Sequence, residues 1–122
     1  VKKNKLTNVK TIYDPYLVSR VHPEINSADI VFSVGMLSVI QNIPEFLKEM
    51  KKIIPQNGGI VFVEYVDFFY LIPNIPWLSN NTKIEKIFRD AGFSVRVERK
   101  RSLFWRYAFV YGINSEEDVP FI

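Results

Sequence analysis

The side chains able to do chemistry in this sequence are few. One histidine, His22, stands beside Pro23 in an irregular stretch and reads as a surface residue rather than a general base. Cysteine is absent, which excludes thiol nucleophiles, disulfides and thiolate metal sites together. Glu64 and Asp67 flank the end of a strand-like run and could suggest a carboxylate pair. With no histidine cluster beside them they make no metal site, and two solvated acids are the simpler expectation. Gly58-Gly59 resembles a phosphate cradle only in composition, because it precedes a strand where anion binding needs a helix N-terminus. Ser33 and Tyr65 are more informative. Each falls at the carboxyl end of an apolar run, and ligands of open α/β sheets bind outside those ends.

The elements that must position these residues follow from hydrophobic spacing. Val9–Tyr13 alternates and is β-branched, which predicts a short strand stopped at Asp14-Pro15. Asp29–Ser33 is apolar on both faces, as a buried parallel strand would be. A helix is expected from Asn42 or Ile43, with Pro44 in the first turn where its missing N–H has no partner anyway. Phe46, Leu47, Met50, Ile53 and Ile54 form its apolar face, Lys51 and Lys52 suit its negative end, and Asn57-Gly58-Gly59 supplies a left-handed stop. Ile60–Val66 is the next strand. A long loop from Asp67 to Asn80 follows, dense in Phe68, Phe69, Tyr70, Pro73, Pro76 and Trp77, which could be core, lid or interface. Thr82 and Glu85 predict a capping box for a second helix, with Ile84, Ile87, Phe88 and Ala91 inward and Gly92 at its end. Phe93–Glu98 alternates, Arg99–Ser102 turns, and Phe104–Ile113 returns as an antiparallel strand, leaving Asn114–Ile122 as a loose acidic tail. The order β–β–α–β–α–β–β predicts an α/β sheet with an antiparallel hairpin at its far edge.

Bulk composition agrees. A chain of 122 residues with 48% hydrophobic content can bury one core, and 24% charged residues is an ordinary globular fraction. The net charge of +3 permits acidic partners without singling out nucleic acid. No apolar run reaches the roughly 18–20 residues of a membrane span, and Lys2, Lys3 and Lys5 lead into polar residues rather than a signal peptide. A cytoplasmic location is the simplest match. The start at Val1 fits a fragment or a processed product.

Read together, Asp29–Ile40, the helix end and turn Met50–Gly59, and the strand Ile60–Glu64 resemble the middle of class I S-adenosylmethionine-dependent methyltransferases. The resemblance is closest to small-molecule enzymes of the ubiquinone/menaquinone-biosynthesis type. It continues through Lys83–Phe93 and Phe104–Gly112, which look like that family's late helix and its sixth and seventh strands. It implies a partial Rossmann-like methyltransferase sheet, third to seventh strands, mostly parallel with an antiparallel C-terminal hairpin. Residues 1–113 would then be the C-terminal part of the domain and 114–122 an acidic tail. The family's acidic-Gly-x-Gly-x-Gly turn and its ribose-binding acid are missing, and no glycine precedes Gly35.

Carried over position by position, the resemblance implies that Asp14 and Pro15 approach the adenine of S-adenosyl-L-methionine and that Ser33 contacts the same cofactor. Met36 would lie near the methyl-transfer face. Tyr65, Phe68, Phe69, Tyr70 and Trp77 would surround a small-molecule acceptor. No residue matches a general base, and methyl transfer from a sulfonium needs alignment more than proton transfer. The implied strand order also separates Val9–Tyr13 from Asp29–Ser33 by two strands that this sequence lacks. Asp29–Ser33 would become an apolar edge with unpaired backbone groups, unless the two runs pair directly. Such an edge would join a second copy or the missing N-terminal half. Three functions therefore stand: a methyltransferase inactive as this chain alone, a non-catalytic interaction module, or an RNA-binding domain. The last would use Arg96, Arg99, Lys100, Arg101 and Arg106 interleaved with Phe104, Trp105 and Tyr107.

Overall fold

The computed structural model describes residues 7–13, 22–37, 40, 42–68, 72–73 and 76–115. Its elements are β1 (Ile30–Val34), α1 (Ile43–Ile53), β2 (Gly59–Phe68), β3 (Ile72–Pro73), a 3-10 turn (Pro76–Ser79), α2 (Asn81–Asp90), β4 (Phe93–Arg101) and β5 (Trp105–Asn114). The main sheet runs β1-β2-β5-β4, with β3 paired to the end of β2. β1 pairs with β2 in parallel, whereas β5 is antiparallel to both β2 and β4. β1, β2 and β4 therefore point the same way, and β5 is inserted between β2 and β4 rather than added outside them. The expected parallel character survives in strand direction, but the only parallel pairing among the described residues is β1 with β2.

α1 and α2 cover one face of this sheet. The inward positions Ile60 and Phe62 of β2, Val110 of β5 and Phe93 and Val95 of β4 meet Phe46, Leu47 and Met50 of α1 and Ile84 and Phe88 of α2. Phe62 is the hub, with its ring 6.3 Å from Phe46 and 5.8 Å from Phe88, the second pair nearly edge-on. The opposite face has no helix among the described residues. It carries Ile30, Phe32 and Val34 in register with Gly59, Val61 and Val63.

Several local expectations need correction. Val9–Tyr13 forms no strand; residues 9–13 have no regular structure, since no neighbouring strand offers them a ladder. β1 is not buried on both faces: as the sheet edge it leaves Ile30, Phe32 and Val34 68%, 66% and 62% exposed. The direct pairing of the two runs is thereby ruled out. Of the two expected starts for α1, Ile43 is the first helical residue and Asn42 is its cap, Oδ1 accepting from Glu45 N at 3.2 Å. α2, however, is capped by Asn80, whose Oδ1 accepts from Lys83 N at 3.3 Å, so the Thr82–Glu85 box lies inside the helix. Arg99, Lys100 and Arg101 continue β4, and the turn falls at Ser102–Phe104. Asn114 is not tail. It ends β5, is buried, and donates from Nδ2 to Ile54 O at 2.6 Å, tying the strand to the end of α1. Residues 116–122, with the acidic Glu116, Glu117 and Asp118, lie outside the described residues.

Candidate functional site

A cleft of about 340 Å³ opens where the β1 edge meets α1. Val31, Ser33, Met36, Phe46 and Met50 form its sheet and helix walls, and Ile12, His22 and Ile25 close the side toward the chain's start. The geometry follows from the strand's alternation. Val31 and Ser33 are in register with Ile60 and Phe62, so their side chains point to the helix layer. Ser33 is thereby carried into an apolar pocket at the carboxyl end of a parallel strand. Its Oγ is buried and has no hydrogen-bond partner. A buried hydroxyl without a partner costs free energy, and a ligand atom in the cleft would relieve that cost.

The backbone beyond β1 is held in place by two contacts. Gly35 adopts φ +69°, a left-handed conformation that favours glycine, and its N–H donates to Val63 O at 2.9 Å. Leu37 N then donates to Oε2 of Glu64 at 2.8 Å. Glu64 is 1% exposed, so the expectation of a solvated acid is wrong. It shares the inward positions of β2 with Ile60, Phe62 and Val66, and its carboxyl group fixes the turn that carries Met36 to the cleft. That alternation was the signal available in the sequence.

Asp67 is buried as well. A register irregularity between Tyr65 and Asp67 brings Asp67 opposite Arg106 on β5, and the guanidinium grips both carboxylate oxygens, with Nε to Oδ1 at 2.8 Å. The two acids are therefore separate structural contacts, not a catalytic pair. Nearby, Arg99 donates to Leu78 O at 2.9 Å and to Asn81 Oδ1 at 2.7 Å, joining β4 to the 3-10 turn and α2. Burial, and then the charge of Arg106, lowers the Arg99 pKa, with Asp67 opposing.

The structure brings Ser33 and Met36 together in the cleft. Tyr65 is not part of that lining; its ring meets Trp105 edge-on at 5.4 Å. Trp77 is half-buried against the core. Asp14, Pro15, Phe69 and Tyr70, and the side chain of Phe68, lie outside the described residues. His22, expected at the surface, is half-buried in the cleft wall, with Nδ1 accepting from Glu24 N at 3.2 Å. Among the described residues no cluster of acids and histidine could hold a metal ion, and no helix is long and apolar enough to cross a membrane.

No protein-family model matches this sequence, and no curated protein matches it. Solved structures do. A SAM-dependent methyltransferase from Aquifex aeolicus superposes with a TM-score of 0.65 at 17% identity, covering 90% of this chain and 58% of that one. A SAM-dependent methyltransferase from Methanosarcina mazei gives 0.57 at 10% identity, over 80% of this chain and 65% of that one. Phosphoethanolamine N-methyltransferase 2 of Haemonchus contortus, solved with phosphomonomethylethanolamine and S-adenosylhomocysteine, gives 0.55 at 15% identity, over 75% and 34%. The chain thus spans between 34% and 65% of the lengths of these structures. What the likeness establishes is the fold: a mixed α/β sheet corresponding to part of the class I methyltransferase domain.

Proposed function

We propose that this chain supplies the acceptor-side half of an S-adenosyl-L-methionine-dependent methyl-transfer site, acting on a small and partly apolar molecule of the quinone-precursor type. The observation that carries the reading is Ser33 Oγ, an unpartnered buried hydroxyl at the carboxyl end of a parallel strand, facing an apolar cleft. Met36, Phe46 and Met50 give that cleft apolar walls, and Ser33 offers a hydrogen bond to whatever occupies it. Phe68, Phe69 and Tyr70 are proposed to shelter the acceptor, while Tyr65 and Trp77 pack against Trp105 and the core and take no part.

The residues present fit only one side of the cofactor. Ser33 can make one contact, and Asp14 and Pro15 are proposed for the adenine. The chain has five glycines, none before Gly35, so it lacks the glycine turn that would cradle the amino-acid and ribose portions. We therefore assign no methyl-transfer step to this chain alone. Completion would come through the β1 edge, from upstream strands of a longer protein. Calorimetric titration of this chain with S-adenosyl-L-methionine should give no saturable binding; a clean micromolar isotherm would overturn the half-site reading. The gene should encode an acidic-x-Gly-x-Gly stretch about 40–60 residues before Val1, the span of one βαβ unit and part of the next.

A second reading, favoured by the exposure of Ile30, Phe32 and Val34, is a non-catalytic subunit that joins a partner through the same edge. In that case a stable complex forms with no cofactor site in either member.

A further inference from the structure

His22-Pro23-Glu24-Ile25 is a β-turn: Ile25 N donates to His22 O at 2.9 Å, and Pro23 takes the second position, where its fixed φ is favoured. The turn sets His22, the one histidine of the sequence, in the cleft wall beside Ile25. It also fixes where the ring carries its proton. Glu24 N donates to Nδ1 at 3.2 Å, so Nδ1 keeps its lone pair and the neutral imidazole is protonated on Nε2. Among the described residues this side chain makes no other hydrogen bond, which leaves Nε2–H as a donor for a ligand. The same tautomer excludes a general base here, since the nitrogen left for a ligand already holds a proton.

Ser33 Oγ is the second polar side-chain group of the cleft, buried and unpartnered. The rest of the described lining is aliphatic, aromatic or methionine, with no Asp, Glu, Lys or Arg. Lys10 and Glu24 lie outside it, exposed and paired with each other at 3.0 Å. A charged ligand group would therefore lose its water here with no counter-charge in exchange. A hydroxyl or carbonyl on an apolar body would instead meet two hydrogen-bonding groups. We propose that His22 is a specificity-determining residue of this cleft. Its Nε2–H and the Ser33 hydroxyl bind the hydroxyl or carbonyl group of an uncharged, largely apolar molecule, and carboxylated or phosphorylated molecules are refused. The proposal rests on the acceptor reading of the cleft and narrows it, from a partly apolar molecule to an uncharged one held at two points.

Both methionines of the chain, Met36 and Met50, line the cleft, so their methyl resonances report its occupancy, and the single histidine gives one set of ring-nitrogen signals. The test is nuclear magnetic resonance titration of the full chain with para-cresol, para-toluate and para-xylene at about pH 8, where an imidazole is neutral. Before any ligand is added, the ring should carry its proton on Nε2. para-Cresol should shift both methyl signals and the Nε2 signal, and para-toluate, its carboxylate counterpart, should bind at least about tenfold more weakly. His22→Phe keeps a flat ring but removes the donor. It and Ser33→Ala should each weaken para-cresol about three- to tenfold and leave para-xylene unaffected, with unchanged circular dichroism. A proton on Nδ1, methyl signals that para-cresol does not move, para-toluate binding as well as para-cresol, or both variants binding para-cresol as well as the parent chain overturns the proposal. Titration with S-adenosyl-L-methionine tests the half-site reading apart from this, because a micromolar isotherm would overturn that reading and leave the para-cresol result standing.

Discussion

Ser33 and Glu64 sit close in the fold and illustrate opposite kinds of buried polar group. Ser33 Oγ has no hydrogen-bond partner, so removing it should not harm the isolated chain. Ser33→Ala is expected to leave stability unchanged or raise it by up to about 1 kcal/mol, read from the midpoint of urea unfolding. A clear loss would mean that the hydroxyl serves the fold and not a ligand. Glu64 accepts from Leu37 N, so Glu64→Leu would strand a buried amide and should cost about 2–3 kcal/mol. Glu64→Gln keeps an acceptor oxygen and should lose less than half of that. An exposed pair gives the pH dependence. The hydrogen bond and then the charge of Lys10, 3.0 Å away, hold the Glu24 carboxyl below its ordinary value of 4.5. Because the folded pKa is the lower one, this contact contributes above the ordinary value and is lost as pH falls through the folded value. It joins the segments carrying Ile12 and Ile25, so the methyl resonances of those two should move on acidification, and should not in Glu24→Gln.

At the scale of the element, capping and turn chemistry decide the boundaries. Gly92 closes α2 at φ +93°, and a side chain there would meet Lys51, whose Nζ donates to Gly92 O at 3.1 Å. Gly92→Ala is therefore expected to destabilise by about 1–2 kcal/mol, measured by thermal or urea unfolding. That glycine was legible in the sequence as a helix stop. The start of α2 was not, because Asn80 and Thr82 are both good caps at neighbouring positions. The choice fell to Asn80 because the chain leaves the 3-10 turn there in an extended conformation. The extension of β4 through Arg101 was hidden for a different reason. A run of basic residues reads as a loop, yet cross-strand pairing with β5 holds it in the ladder from Phe93↔Asn114 to Arg101↔Arg106.

For the molecule as a whole, the governing fact is an α/β sheet that stops at an apolar strand. Among the described residues β1 has a neighbour on one side, and Ile30, Phe32 and Val34 stand exposed on the face that carries no described helix. Light scattering after size exclusion should find the isolated chain associating as concentration rises. Phe32→Lys should shift it toward monomer, since a charge on an edge strand opposes pairing. A strictly monomeric parent chain at high concentration would show that the edge is covered from within. The apolar run Asp29–Ser33 as a strand, the α1 face, the glycine stop and the antiparallel return were written in local spacing, and from them the α/β class and the methyltransferase resemblance followed. Local spacing carries such features because periodicity reports which side of an element meets apolar neighbours. Only the tertiary structure decided that Val9–Tyr13 is not a strand, that Glu64 and Asp67 are buried, and that Ser33 faces a cleft while Tyr65 turns to Trp105. Those outcomes depend on which strand lies beside which, on the register between them, and on partners distant in sequence, none of which is encoded in any single window of residues.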